Sequence, residues 1–405
     1  MRRVGVWLVG ARGSVATTAV TGAAAVSAGV AEPTGLVTMR PPFTEAGLPG
    51  LGELVFGGHD VVETPLAVRA ARLVDGGVLP VGLPGALAGA LEAAESEQRP
   101  GITGLDARND PRGCITRILN DLRAFRARHD LARVVVINVS STEAPLAAHP
   151  AHEDMTALLD ALERGEAIVP PSTLYAIAAI EAGCGWVDFT PSAGARMPAL
   201  EALAEAYEVP LGGSDGKTGE TLMKSVIAPA FAARSLRVRS WAATNLLGGG
   251  DGEVLADPER AASKLASKGR LLEEILGYQV ESPIRMENVR DLGEWKTAWD
   301  HVSFEGFLGV RMRLQFTWEG CDSALAAPLI LDLARLSALA LERGESGTQS
   351  QLAFFFKDPA GTTEQSLHRQ FELLERWVLS GRREMGDDVD TAGSAGQGTR
   401  SWAAS

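Results

Sequence analysis

A β-rich run over Val4–Val9 leads directly into Gly10-Ala11-Arg12-Gly13-Ser14-Val15-Ala16 and then into a helical pattern over Ser14–Ser27. A doubly wound nucleotide-binding fold puts its phosphate turn at such a first strand–helix junction. Glycines there let the backbone approach a pyrophosphate, and the helix N-terminus offers free N–H donors and a partial positive charge. The spacing Gly-x-x-Gly-x-x-Ala is not the full Gly-x-Gly-x-x-Gly fingerprint, so position carries the dinucleotide reading; the alternative is a tight turn with no ligand.

The pattern that follows fits this start. Short Val/Ile-rich runs at 35–39, 133–139, 167–169, 186–189 and 209–212 alternate with helical periodicity at 114–128, 154–164 and 173–182, as in a parallel sheet with crossover helices. From about Leu236 the stretches 236–245, 277–290 and 302–317 turn β-rich, which predicts a second domain built on an antiparallel sheet. Helical periodicity returns at 324–343 and 364–380, and the Gly/Ser/Asp-rich end, 386–405, reads as disordered.

The chain has 405 residues, enough for two or three domains, and a net charge of -13 with no basic cluster. That balance argues against nucleic acid or an anionic membrane as a partner, since both are held by concentrated Lys and Arg. An anionic small substrate remains compatible with locally gathered cations. No apolar run reaches the 18 or so residues of a membrane span, and the opening Met-Arg-Arg is not followed by a signal-peptide pattern. Cys114, Cys184 and Cys321 fit neither a zinc cluster nor a disulfide framework, so a cytoplasmic protein with reduced thiols is expected. The six histidines show no ligand spacing, and no metal is expected.

A dinucleotide fold usually has an acid at the end of its second strand for the adenosine ribose, and Val37-Thr38-Met39-Arg40 offers none. Asp60, after the glycine pair in Phe56-Gly57-Gly58-His59-Asp60, is the replacement candidate. Gly212-Gly213-Ser214-Asp215-Gly216-Lys217-Thr218 suggests a P-loop, but the required first glycine falls on Leu211, one residue out of step. Arg dominates the basic residues, which makes Lys217, Lys224, Lys264, Lys268, Lys296 and Lys357 conspicuous. Lysine suits a site that must hold phosphate or exchange a proton. Lys264 and Lys268, four apart, share one helical face.

The run Gly213-Ser214-Asp215-Gly216-Lys217-Thr218-Gly219-Glu220-Thr221-Leu222-Met223-Lys224-Ser225 resembles the Gly-Asp-Asp-x-Lys-Ser-Gly-Gln-Thr-x-x-Lys-Ser signature of myo-inositol-1-phosphate synthases. Asn245-Leu246-Leu247-Gly248-Gly249-Gly250-Asp251-Gly252 is similar to Asn-His-Leu-Gly-Asn-Asn-Asp-Gly, and Ser263-Lys264 with Ser267-Lys268 to Ser-Lys-Glu-Ile-Ser-Lys. Gly293-Glu294-Trp295-Lys296, Cys321-Asp322-Ser323, Phe356-Lys357-Asp358-Pro359, Phe56–Asp60 and Ser140-Ser141-Thr142-Glu143 extend the match over roughly residues 4 to 360.

The resemblance implies an α/β fold: a Rossmann-type doubly wound parallel sheet (1–222) interrupted by an α+β catalytic and tetramerisation domain (223–324), with a return to the first domain (325–385). It implies bound NAD, a homotetramer, and cyclisation of a hexose 6-phosphate by oxidation at C5, enolisation, aldol closure and re-reduction. By carry-over, Lys264 is the proton-transfer partner of the C5 hydroxyl, and Lys357 and Lys296 stabilise oxyanions. Asp215, Asp251 and Asp322 orient these lysines. Lys268, Lys217, Asn245, Asp322 and Ser214 hold substrate or phosphate, and Gly10, Ala11, Arg12, Gly13, Ser14, Val15, Asp60, Ser140, Ser141, Thr142 and Asp215 contact NAD. Departures are Ser14-Val15-Ala16 for Asn-Asn-Gly, Leu246 for His, Gly249-Gly250 for Asn-Asn, Glu294 for Asp, and Phe189–Gly194 for Asn-Gly-Ser-Pro-Gln-Asn. They make the reaction type a firmer expectation than the substrate. Glucose 6-phosphate is expected; fructose 6-phosphate closed to a five-membered ring is the alternative. A non-catalytic NAD sensor would not need so many lysines.

Overall fold

The computed structural model describes residues 3–248 and 271–391, with side chains up to residue 380. Asp251, Lys264 and Lys268 therefore lie outside the described residues, as does 392–405.

The strands are β1 (Val4–Val9), β2 (Leu54–Asp60), β3 (Gln98–Pro100), β4 (Arg133–Asn138), β5 (Gly185–Asp188), β6 (Pro210–Gly213), β7 (Arg237–Leu247), β8 (Ile284–Asn288), β9 (Trp295–Glu305), β10 (Arg311–Cys321) and β11 (Gly347–Thr348). Seven form one sheet in the order β11-β6-β5-β4-β1-β2-β3, with every pairing parallel. The direction of winding reverses between β1 and β4, and the crevice beyond the C-terminal ends of such a pair is where this architecture binds ligands. Helices Ser14–Ser27, Leu66–Asp75 and Asp322–Glu342 cover one face, and Pro111–Arg128, Pro171–Glu181 and Pro198–Ala206 the other. Because both faces are covered, β1 and β4 are almost entirely buried, which explains their unbroken Val/Ile/Leu character.

The helix Asp322–Glu342 is long and apolar enough by length and composition to cross a bilayer, although Asp332 and Arg335 interrupt its apolar run, and 72% of that stretch is buried inside the protein. It returns the chain to the first domain, as the change in pattern after Ala324 predicts.

Two expected strands are absent. Residues 35–39 form a short 3-10 turn, Val37–Met39, whose N–H groups at Val37 and Thr38 donate to the Asp332 carboxylate at 2.8 and 3.1 Å. Residues 167–169 lead into Pro170-Pro171 and the start of a helix. The true second strand is β2, which contains the glycine pair Gly57-Gly58. A Cβ on Gly58 would stand 2.2 Å from the Leu8 carbonyl oxygen and 2.5 Å from the Ala11 Cβ, so β2 can lie against β1 only if this residue is glycine.

The second sheet has the order β10-β9-β7-β8. It is antiparallel except for β7 and β8, which run parallel. The stretch 302–317 is two strands of a hairpin, turning at Phe307–Gly309. The last helix, Leu367–Thr391, continues past 380 and into the segment read as disordered from 386.

Candidate active site

At the end of β1 the backbone turns at Gly10 with φ 88°, and a side chain there would meet the Ser140 backbone at 2.8 Å. Thr17 N–H closes the first helical bond to the Gly13 carbonyl at 3.0 Å. The N–H groups of Ser14, Val15 and Ala16 therefore have no acceptor inside the helix. Ser14 and Val15 line the crevice there, and no carboxylate in the helix's first turn competes for these donors.

Asp60 ends β2, the position that sequence reasoning sought at 37–40. One carboxylate oxygen accepts from the Arg12 backbone N–H at 2.7 Å and the other from Val62 N–H at 2.9 Å. Each oxygen keeps a lone pair for a ribose hydroxyl. Gly10, Arg12, Gly13, Ser14, Val15, Asp60, Ser140, Ser141 and Thr142 all line one elongated cavity of about 730 Å³. Ala11 is buried and does not line it, and its N–H donates to the His59 carbonyl at 3.1 Å. The Arg12 guanidinium pairs with Glu95, and Ser14 Oγ donates to Glu294 Oε1 at 2.9 Å, which ties the turn after β1 to the residue before β9.

A second cavity of about 140 Å³ adjoins the first and shares Val15, Ser140, Thr142, Lys296 and Asp322 with it. Residues 214–217 and 355–358 lie side by side: Lys357 N–H donates to the Asp215 carbonyl at 2.7 Å and Lys217 N–H to the Phe355 carbonyl at 2.8 Å. Asp215, at φ 62°, turns its side chain into the cavity, where Lys357 Nζ donates to its Oδ1 at 2.9 Å. Its other oxygen, Oδ2, is buried with no hydrogen-bond partner among the described residues. At the junction of the two cavities Lys296 pairs with Asp322, whose Oδ1 also accepts from Thr218 Oγ1 at 2.9 Å. Asn245, from β7, completes the wall beside Glu220 and Thr221.

Two expected substrate contacts are displaced. Lys217 points away from both cavities into the protein, where Nζ donates to Gln370 Oε1. Desolvation there pushes its ammonium down to about 7. Ser214 is buried, and its Oγ accepts from Arg196 Nη1 at 2.7 Å. Regular alternation would put Asp215 and Lys217, two residues apart, on one face; the positive φ of Asp215 breaks that alternation, so Asp215 turns into the cavity and Lys217 away from it.

Sequence reasoning did not select Glu220, Thr218 or Thr221, although all three stand in a quoted motif. The available signal was the four-residue spacing of Glu220 and Lys224, which the structure shows as a buried ion pair.

The family model for myo-inositol-1-phosphate synthase matches residues 4–379. The chain is 32% identical to inositol-3-phosphate synthase 1 of Bacteroides thetaiotaomicron, over 93% of this chain and 94% of that protein. It is 32% identical to the inositol-3-phosphate synthase of Candida glabrata over 54% of this chain, which spans 43% of the yeast protein. Its fold is similar to the crystal structure of the Caenorhabditis elegans inositol-3-phosphate synthase, with a TM-score of 0.84, 24% identity and coverage of 93% and 85% of the two chains.

Proposed function

Since the chain belongs to the myo-inositol-1-phosphate synthase family, an NAD-binding family of isomerases, we propose that it cyclises glucose 6-phosphate to an inositol phosphate without net redox change. One arrangement carries this reading: the nucleotide cleft opens directly onto a small polar cavity, with Lys296–Asp322 at the junction and Lys357–Asp215 at its far side.

The residues present fit NAD. Gly10 and Gly13 leave room for a pyrophosphate, the first-turn N–H groups of the helix Ser14–Ser27 have no acceptor inside the helix, and Asp60 offers acceptors for the ribose. Bound there, NAD supplies a hydride acceptor and later returns the hydride.

The protein's own groups do the rest. C5 oxidation releases a hydroxyl proton, enolisation at C6 creates negative charge on the C5 oxygen, and attack on C1 moves that charge to the C1 oxygen. Lys357 and Lys296 line the cavity where these charges develop, and fixed cations of this kind lower such barriers by about 3 kcal/mol each. Asp215 and Asp322 hold the two ammonium groups in place. Lys264 as proton-transfer partner and Lys268 as phosphate ligand complete the proposal, with Asp251 as an orienting carboxylate. The reading also includes a cytoplasmic homotetramer. Three free, buried cysteines agree with a reducing compartment, and the exposed Trp299, Phe307, Leu308 and Val310 of the second sheet offer apolar surface to another copy.

The test is NMR of the products after incubation with NAD and, separately, glucose 6-phosphate or fructose 6-phosphate. An inositol phosphate from the aldose supports the proposal. A cyclopentane phosphate from the ketose alone overturns the substrate assignment while keeping the chemistry.

A further inference from the structure

Glu220 stands where the family signature has Gln, and it is 4% exposed at the wall of the second cavity. One carboxylate oxygen pairs with Lys224, which is 1% exposed and lies 5.7 Å from the centre of the Trp241 ring. The other, Oε2, accepts from Asn245 Nδ2 at 2.7 Å. An ion-paired carboxylate accepts and does not donate, so Asn245 must turn its NH2 toward Glu220. Its carbonyl oxygen Oδ1, hydrogen-bonded to no described residue, is then the group left for the cavity.

We propose that Glu220 is a positioning residue that fixes Asn245 as a hydrogen-bond acceptor, so that this wall reads a hydroxyl donor on the carbon chain of the substrate. The inference rests on the cavity being the sugar-phosphate site. It also fixes the substrate's direction. An amide oxygen backed by a carboxylate repels phosphate oxygens, so the phosphate lies away from Asn245 and a hydroxyl-bearing carbon lies against it.

With Gln at position 220 the polarity reverses. The Gln carbonyl faces the Lys224 ammonium, its NH2 faces Asn245, and the Asn245 amide must turn round to offer the cavity a donor. The Glu-for-Gln departure thus changes what the wall recognises while leaving its shape alone.

Fluorine replaces a hydroxyl in size and weak acceptor character but cannot donate, so it separates the two states. The experiment measures dissociation constants of glucitol 6-phosphate and its 2-, 3- and 4-fluoro analogues on the full-length enzyme with NADH bound, so that no oxidation follows. In the unaltered protein one fluorinated position is expected to bind about tenfold more weakly than the hydroxyl. In Glu220→Gln that ratio falls to about one. In the double variant Glu220→Gln with Asn245→Asp it returns, because the carboxylate introduced at position 245 accepts from the amide introduced at position 220 and again presents an acceptor to the cavity. Loss of packing alone would not be rescued in this way. Asn245→Leu keeps the Glu220–Lys224 pair, and should erase the ratio even if Glu220→Gln folds poorly. An unchanged ratio in Glu220→Gln or Asn245→Leu, or no sensitive position in the unaltered protein, overturns the inference alone. Failure of glucitol 6-phosphate to bind at all sinks the site reading together with it.

Discussion

Lys357 Nζ donates to Asp215 Oδ1 at 2.9 Å across 142 positions of sequence, joining the return segment to the loop after β6 inside the second cavity. The ammonium is 14% exposed and the carboxylate 5%. A cation so held needs little reorganisation when negative charge develops beside it. Lys357→Met should lower kcat for cyclitol phosphate formation by about 10²–10³ while leaving NAD affinity within about twofold. Steady-state product assays with calorimetric NAD titration check both halves. A variant that keeps normal turnover removes Lys357 from the mechanism.

Asp60 has a different role and should separate cleanly from the first. Its oxygens hold Arg12 N–H and Val62 N–H, and they are the acceptors left for the ribose in the larger cavity. Asp60→Ala is expected to weaken NAD binding by about 10–100-fold, the cost of a lost charge-assisted pair. Saturating NAD should then recover most of kcat. A kcat that stays low at saturation would place Asp60 in the chemistry.

The parallel sheet was legible because β1, β4, β5 and β6 are buried on both faces, and burial of that kind demands continuous apolar runs. β2 was hidden by its own requirement: Gly57, Gly58 and His59 are shaped by contact with Trp7, Leu8 and Ala11, not by strand propensity. The run at 35–39 misled in the opposite sense, since Leu36 is buried and Val37 and Met39 are half-buried by a turn held on Asp332. At the site, Asp215, Lys296, Lys357 and Asp322 could be named through family motifs. Lys217 could not be placed, because which side a residue faces depends on the pairing of 214–217 with 355–358, a contact invisible in local sequence.

The packing at β2 makes its own prediction. In Gly58→Ala the new methyl would overlap the Leu8 carbonyl and the Ala11 side chain, and the first of these is backbone and cannot yield. The variant should lose about 3 kcal/mol of stability, at the upper end for overpacking. NAD should also bind more weakly, because the strands moved apart carry Gly10 and Asp60. Urea unfolding and NAD titration check this, and a variant as stable as the parent would show that β1 and β2 are less tightly joined.

Lys217 supplies a pH signature. Desolvation, opposed by the carboxylate of Glu364, holds its ammonium down at about 7, against 10.5 for the ordinary group. Between pH 7 and 10.5 the unfolded chain therefore binds one proton more than the folded protein at this residue. More protons on the unfolded side means that stability rises with pH, here by on the order of 1 kcal/mol per pH unit from this group. Below pH 7 both states are protonated and the burial cost is felt in full. Lys217→Met removes the titrating group, so its advantage over the parent should be largest near pH 6.5 and shrink steadily toward pH 9.5. Urea denaturation of both proteins at intervals across that range measures the difference. If the two stability curves run parallel, Lys217 keeps its charge in the folded state and the Gln370 contact is that of a buried cation.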